Sequence, residues 1–393
     1  MSRIPVGIVG AGYWGPNLIR NFTTCPQTEV AAVCDANPAR LEAIGRSNPH
    51  LKLVPSLDQL LDLPGLKAVA IATPVSTHYA IAKRCLEAGL DVMVEKPLAA
   101  TVQEAQALVD LAEKLGRVLM VDHTYLFSNP VKLIKKLIDD GELGDLYYID
   151  STRINLGLFQ HDVNVIWDLA PHDLSIVDHI IGTPARSISS WGCSHANADI
   201  EDIAYVNVDY GERMMATFHV NWLSPVKVRQ IIFAGSRKSI IFNELNTTEP
   251  VKVYGRGIDL TESEAGAGVG AMSAEQKRKL LVGYRTGDVW SPHVDSGEAL
   301  QAAVTHFAEC VRERKKPLSD GELGLRVVRS LEAATRSIRA QGGRVILAQA
   351  NYGTNGNGTN GHHDGNGNGN GNGNGNWKGD ARAVRPGELL AHR

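Results

Sequence analysis

From Ile4 to about Asp122, short apolar runs alternate with longer stretches whose apolar residues recur at helical spacing. That alternation marks βαβ units feeding a parallel sheet. Strands are expected at Val6–Val9, Glu29–Cys34, Leu51–Val54, Ala68–Ala72, Asp91–Val94 and Val118–Val121. Helices are expected between them over Asn17–Phe22, Pro38–Ser47, Ser56–Asp62, His78–Ala88 and Val102–Leu115. The fold class is therefore α/β, with a doubly wound parallel sheet over residues 1–122 whose runs are apolar enough for both faces to be covered.

After Asp122 the pattern changes. One amphipathic helix, about Pro130–Asp140, leads into a strand at Tyr147–Ile154, and a second helix follows over Val165–Ile181. Ala185–Trp191, Ile203–Tyr210, Met214–Trp222, Lys227–Ala234 and Ser239–Phe242 then read as strands joined by short turns, the mark of a mostly antiparallel sheet. Ala299–Arg314 and Leu323–Arg339 read as closing helices, so residues 123–350 form an α+β second domain. Residues 351–393 begin with an Asn/Gly tract that has no apolar surface to bury, and a disordered tail is expected there.

Composition narrows the function classes. A net charge of -3 gives no reason to expect nucleic acid, and Lys132, Lys135 and Lys136 alternate with apolar residues as a solvated helix face does. The five cysteines are scattered and never form a CxxC pair, which fits a reducing compartment. No run approaches the ~20 apolar residues of a membrane span, and the apolar run at the N-terminus breaks at glycine too early for a signal peptide. A cytoplasmic protein with no membrane partner is expected.

Gly10-Ala-Gly-Tyr-Trp-Gly15 directly follows the first strand and opens the first helix, the context in which GxGxxG carries meaning. Gly10 would permit the tight turn, Gly12 the approach of a pyrophosphate and Gly15 close helix–strand packing, with Tyr13 and Trp14 beside the ligand. Helix N–H groups would meet the phosphates. Asp35 ends the second strand, where a carboxylate accepts from ribose hydroxyls and repels the 2′-phosphate of NADP, so NAD is the expected cofactor. A helix N-cap is the competing role for Asp35. A second glycine cluster, Gly266-Ala-Gly-Val-Gly270, has the wrong spacing and reads as a loop.

Glu95-Lys96-Pro97 ends the fifth strand, and ligands of doubly wound sheets sit outside the carboxyl ends of the strands, so Lys96 would project toward the nicotinamide. In Trp167-Asp-Leu-Ala-Pro-His172-Asp173, Asp168 and His172 are spaced i, i+4 on one helix face. A histidine near its ordinary pKa of ~6.5 can accept an alcohol proton at neutral pH. His172 is the expected general base, Lys96 the donor to a developing oxyanion and Asp168 the residue that orients them. A desolvated Lys96 is the alternative base. His123, Tyr125 and Asn129 follow the sixth strand and would border cofactor or substrate, or else serve the fold alone. His161 and Asp162 could be imagined with these as a metal site, but the spacing is not that of zinc, and no metal is expected.

On Gly10–Gly15, Thr73-Pro74-Val-Ser-Thr-His78, Glu95-Lys-Pro97 and Asp168 with His172, the chain resembles the Gfo/Idh/MocA family of oxidoreductases from about Ile4 to Ile346. The resemblance implies a Rossmann domain, an open-faced mixed sheet in the second domain, oligomerisation through that sheet to a homo-oligomer (dimer or tetramer), and NAD or NADP as cofactor. It further implies that Thr73, Pro74, His78, Glu95 and Lys96 adjoin the cofactor. Lys96, Trp167, Asp168 and His172 would then surround the reacting carbon. Where family members often have a glycine-rich approach to the Asp, this chain has Asp162-Val-Asn-Val-Ile-Trp167. Tyr284–His293 with Glu298-Ala-Leu300 is similar to segments of members that act in bacterial surface-polysaccharide or amino-sugar pathways, so a nucleotide sugar is the expected substrate. An inositol or free-sugar dehydrogenase, or a non-catalytic NAD-binding regulator, stands as the alternative.

Overall fold

The computed structural model describes residues 2–157, 159–160, 163–211, 213–259 and 283–347. The expected tail, the Gly266–Gly270 loop, His161 and Asp162 lie outside the described residues.

The first half alternates strand and helix: β1 (Ile4–Val9), α1 (Gly15–Thr24), β2 (Thr28–Cys34), α2 (Pro38–Ser47), β3 (Leu53–Val54), α3 (Leu57–Leu61), β4 (Ala68–Ile71), α4 (Val75–Glu87), β5 (Asp91–Glu95), α5 (Val102–Leu115) and β6 (Leu119–Asp122). All six strands are parallel, in the order β3-β2-β1-β4-β5-β6. The order reverses beside β1, which is where such sheets open a ligand crevice. Every residue of β4 is buried, as a strand covered on both faces requires. Local signals set the helix ends: Thr101 caps α5 through the Glu104 N–H, and Gly116 stops it in the left-handed conformation.

A 3₁₀ turn at Thr124–Phe127 leads to α6 (Asn129–Asp139), β7 (Leu146–Leu156), α7 (Val165–Ile181), β8 (Ser187–Cys193), β9 (Ile203–Gly211), β10 (Met214–Asn221), β11 (Leu223–Gly235), β12 (Ser239–Asn243), β13 (Val251–Tyr254), β14 (Gly257–Asp259), β15 (Gly283–Arg285), β16 (Val289–Trp290), α8 (Ala299–Glu313), α9 (Gly321–Arg339) and β17 (Val345–Ile346). The large second sheet runs β16-β13-β12-β11-β7-β10-β9-β8-β17. It is antiparallel throughout except where β10 lies parallel to β7. Its strands alternate: Ala204, Val206 and Val208 of β9 are buried, whereas Tyr205 faces outward. Trp191, Met215 and Tyr148 are also exposed, so the sheet has one open face.

The helices α8 and α9 return to the first sheet. Phe307 of α8 meets Phe22 of α1 edge-to-face at 6.2 Å. Leu325 and Val328 of α9 join the cluster that includes Val121 of β6. One apolar core runs continuously from Val6 and Ile8 of β1 to Val206 and Val208 of β9.

Candidate active site

The loop after β1 shows why its glycines stand where they do. Gly10 has φ +99°, and a Cβ there would lie 2.6 Å from the Ala72 carbonyl oxygen; one on Gly15 would lie 2.2 Å from that of Gly10. A Cβ on Gly12 would meet only Arg40 Nη1, at 3.7 Å. Gly12 thus leaves an open approach to the backbone, and Trp14, the N-cap of α1, makes no side-chain cap. Pro16 has no N–H and the Asn17 N–H donates to the Trp14 carbonyl at 2.9 Å, so what the loop offers an anion is the Gly15 N–H and the open backbone at Gly12 rather than a full first turn of donors. A cleft of about 1010 Å³ opens here, bordered by Tyr13, Trp14, Asp35, Thr73, Pro74, Glu95, Lys96, Trp167 and Asp168. β2 and β5 are three strands apart in the sheet, so Asp35 and Lys96 stand roughly 14 Å apart along it, a span suited to a dinucleotide.

Asp35 is buried and already engaged: Oδ2 accepts the Ala11 N–H at 2.7 Å and Oδ1 the Asn37 N–H at 2.8 Å. Asn37, not Asp35, caps α2, accepting from the Ala39 N–H. Arg40 Nη1 lies 3.7 Å from Asp35 Oδ2 and borders the same cleft, a neighbour the sequence reading missed although it stands in the first turn of α2. His78 is buried away from the cleft surface. Its ring nitrogens lie 2.9 Å from the Pro97 carbonyl oxygen and 2.8 Å from that of Thr73, which ties together the two loops bordering the cleft.

At the other end, Lys96 donates from Nζ to the Asp168 backbone carbonyl at 2.9 Å and lies 3.8 Å from its Oδ1. Asp168 Oδ2 accepts the Trp222 indole N–H at 3.0 Å. Asp168 therefore engages Lys96 and Trp222 rather than His172. Asn164 caps α7, and Pro171 sits within it, where a missing N–H loosens the turn that carries these carbonyls. Trp167 borders the cleft and donates to Thr335 at 3.0 Å.

His172 packs edge-to-face on Tyr125 at 5.1 Å, and its Nδ1 is buried with no hydrogen-bond partner among the described residues. Burial, reinforced by the positive charges of Lys96, Arg153 and Arg229, holds its pKa well below the usual imidazole value, so the ring is neutral. His123 is buried with neither ring nitrogen partnered among the described residues, and burial together with Lys96 lowers its pKa to about 3. Asn129 instead donates to the Asp295 carbonyl at 2.9 Å and anchors that segment.

Beneath Tyr125 lies a charge network the sequence reading missed. Arg153 bonds Asp173 at 2.6 Å and Glu244 at 2.8 Å and stands 5.1 Å from the Tyr125 ring centre. The Tyr125 hydroxyl donates to Glu244 at 2.8 Å, and Arg229 pairs with the same carboxylate. One signal was legible: Ile149, Ser151 and Arg153 share the buried phase of β7, and a charged residue in that phase demands a partner. Among the described residues, no group of three or more His, Cys, Asp or Glu could hold a metal ion.

Residues 4–123 match the model of an oxidoreductase family with an NAD-binding Rossmann fold, and residues 102–241 match that of a GFO/IDH/MocA C-terminal domain. The chain is 25% identical over 89% of its length to the scyllo-inositol 2-dehydrogenase (NADP(+)) of Bacillus subtilis, covering 97% of that protein. It is 24% identical over 84% of its length to the UDP-N-acetylglucosamine 3-dehydrogenase of Acidithiobacillus ferrooxidans, covering 95% of it. The solved WlbA dehydrogenase of Bordetella pertussis, in complex with NADH and UDP-GlcNAcA, shares the fold at a TM-score of 0.70 and 20% identity, over 89% of this chain and 100% of that one.

Proposed function

On the premise that this chain belongs to the GFO/IDH/MocA family of oxidoreductases, we propose that it is an NAD-dependent dehydrogenase acting on a secondary alcohol of a nucleotide sugar. The observation that carries the reading is Lys96, held by Asp168, at one end of a cleft whose other end carries Gly10, Gly12 and Asp35, with a neutral His172 buried behind the wall and near enough to feel the lysine's charge.

The residues present fit that cofactor: the Gly15 N–H would meet its phosphates, Gly12 would leave the pyrophosphate room, and Asp35 in the cleft wall would face the adenosine ribose. When bound, NAD supplies the acceptor for a hydride. The chain's own residues handle the proton. As the C–H bond breaks, the alcohol O–H must also break; His172, uncharged at neutral pH, takes that proton, and Lys96 donates a hydrogen bond to the oxygen as it becomes a carbonyl. Asp168 fixes the lysine from its backbone and its side chain.

In this reading residues 1–122 hold cofactor and 123–350 hold substrate, and the open face with Trp191, Tyr205 and Met215 joins copies of the chain. The relative that acts on UDP-N-acetylglucosamine supports the nucleotide sugar; the scyllo-inositol relative supports a polyol as second reading. The test mixes pure protein with NAD and a panel of nucleotide sugars, uronates and inositols while reduced nicotinamide is followed by absorbance. Turnover confined to inositols would favour the second reading. Cofactor binding without turnover across the panel would favour a regulator.

A further inference from the structure

Directly beneath Lys96 lies a pair of carboxyl groups that the hydride-transfer chemistry above leaves unused. Glu95 and Asp122 are the terminal residues of β5 and β6, and they face each other in the parallel register of those strands. One oxygen of each is held by a donor: Glu95 Oε2 by the Lys96 N–H at 3.3 Å, Asp122 Oδ1 by the Thr124 hydroxyl at 2.8 Å. The other two, Glu95 Oε1 and Asp122 Oδ2, are buried without a well-formed hydrogen bond from any described residue, the Trp14 indole being the neighbouring donor on the Asp122 side. Two buried carboxyl groups within hydrogen-bonding reach of each other cannot both be ionised without a nearby counter-charge; a proton between them removes the conflict and supplies a hydrogen bond.

The surroundings agree. Lys96 brings the nearest positive charge, His123 at the end of β6 is buried and neutral, and Trp14 and Thr124 bring only an indole and a hydroxyl. The helices α5 and α9 that cover β5 and β6 turn Leu108, Leu325 and Val328 toward them. Burial and the Asp122 charge raise the Glu95 pKa well above the carboxylate range, and burial raises that of Asp122. Of the two, Glu95 reaches the wall of the cleft, beside Lys96.

We propose that Glu95 and Asp122 share one proton in the free protein and release it when an oxidised, positively charged nicotinamide enters the cleft, taking it back when the ring is neutral. The inference rests on the cofactor reading above. In the release step the carboxyl O–H bond breaks, the proton leaves through the cleft to solvent, and two carboxylates remain against the ring's positive charge. No electrons move in this step. The pair thereby binds the oxidised and reduced cofactors with different proton counts.

Calorimetric titration of the full chain with NAD⁺ and with NADH, each in two buffers of different ionisation enthalpy, reads the proton count directly. Expected is release of close to one proton with NAD⁺ and none with NADH, so that NAD⁺ affinity rises about tenfold per pH unit in the window where the free pair is protonated while NADH affinity stays level. Glu95→Gln and Asp122→Asn, which keep the shape and a hydrogen bond, should each abolish the release. A shift of the buried carboxylic C=O stretch in infrared difference spectra on NAD⁺ binding, lost in both variants, supports the same assignment. Equal proton counts for the two cofactors, or release that persists in both variants, would overturn the proposal while leaving the cofactor site intact. Failure to bind either nicotinamide form would remove the cofactor reading and this inference with it.

Discussion

Gly12 and Gly15 belong to one motif but answer to different neighbours, so their replacement should have separable effects. Gly15→Ala would press a methyl into the Gly10 carbonyl, an overpacking that costs about 1–3 kcal/mol, and should lower the melting temperature even without cofactor. Gly12→Ala meets almost nothing in the protein; it should melt normally and lose NAD affinity in calorimetry. A normal affinity in Gly12→Ala would place the pyrophosphate elsewhere. With Lys96 at the far end of the cleft and His172 buried near it, His172→Ala and Lys96→Ala should each lower turnover by roughly 10²–10⁴, with cofactor affinity little changed because the phosphate and ribose contacts would lie at the other end. The pH dependence has a definite sign. A base whose pKa is lowered stays competent as pH falls past the usual imidazole value, so kcat/KM should decline only at a more acidic pH, and that limb should vanish in the His172 variant. If the limb instead disappears with Lys96→Ala, the lysine is the base. For Asp35 the expectation is tighter binding of NAD than NADP. Equal affinities in calorimetry would show that Arg40, 3.7 Å away, offsets the carboxylate.

Among the elements, β7 does the least expected work. Its inward phase carries Ser151 and Arg153 toward Asp173 of α7, so the strand that centres the second sheet also fixes the helix bearing Asp168 and His172. Arg153→Met would leave Asp173 a buried carboxylate without its cation, while Glu244 keeps Arg229, and the unpaired Asp173 costs about 3–5 kcal/mol. Denaturant unfolding should show that loss, and Arg153→Met with Asp173→Asn should recover part of it. If the single variant unfolds like the parent, the network is not holding α7. This dependence was only half legible in the sequence. The apolar and polar phases of β7 could be read directly, but the partners of Arg153 lie 20 and 91 positions away along the chain, on a helix and just past the end of β12. The short strands β13 to β17 escaped the pattern for a related reason: two to four residues are too few to show a period, and pairing with neighbours defines them.

For the molecule as a whole, buried imidazoles should govern stability in mild acid. The pKa values of His78, His123 and His172 are all lowered by burial, that of His123 to about 3. Below about pH 6.5 the unfolded chain takes up protons that the folded one refuses, so stability must fall as pH falls through the interval between the unfolded and folded values. The raised acids Glu95 and Asp122 act in the opposite sense, since ionisation of the unfolded chain opposes folding as pH rises above the ordinary carboxylate range. Melting temperatures should therefore decline between about pH 7 and pH 5, and less steeply in His123→Phe; an unchanged slope in that variant would remove His123 from the account. The sequence by itself determined the parallel sheet, its βα order and the glycine loop, and it put Lys96 just past a strand end and Asp168 and His172 on one helix. Those depend on local periodicity and on the fixed geometry of strand ends. Only the tertiary structure decided that Asp168 holds Lys96 rather than His172, that His78 ties two loops, that Asn129 anchors Asp295 and that Glu95 meets Asp122. Each of these is a contact between segments whose distance along the chain carries no information about their distance in space. The return of α8 and α9 to the first sheet is the same case at larger scale: an amphipathic helix announces that it must bury one face, and only the packed core shows against what.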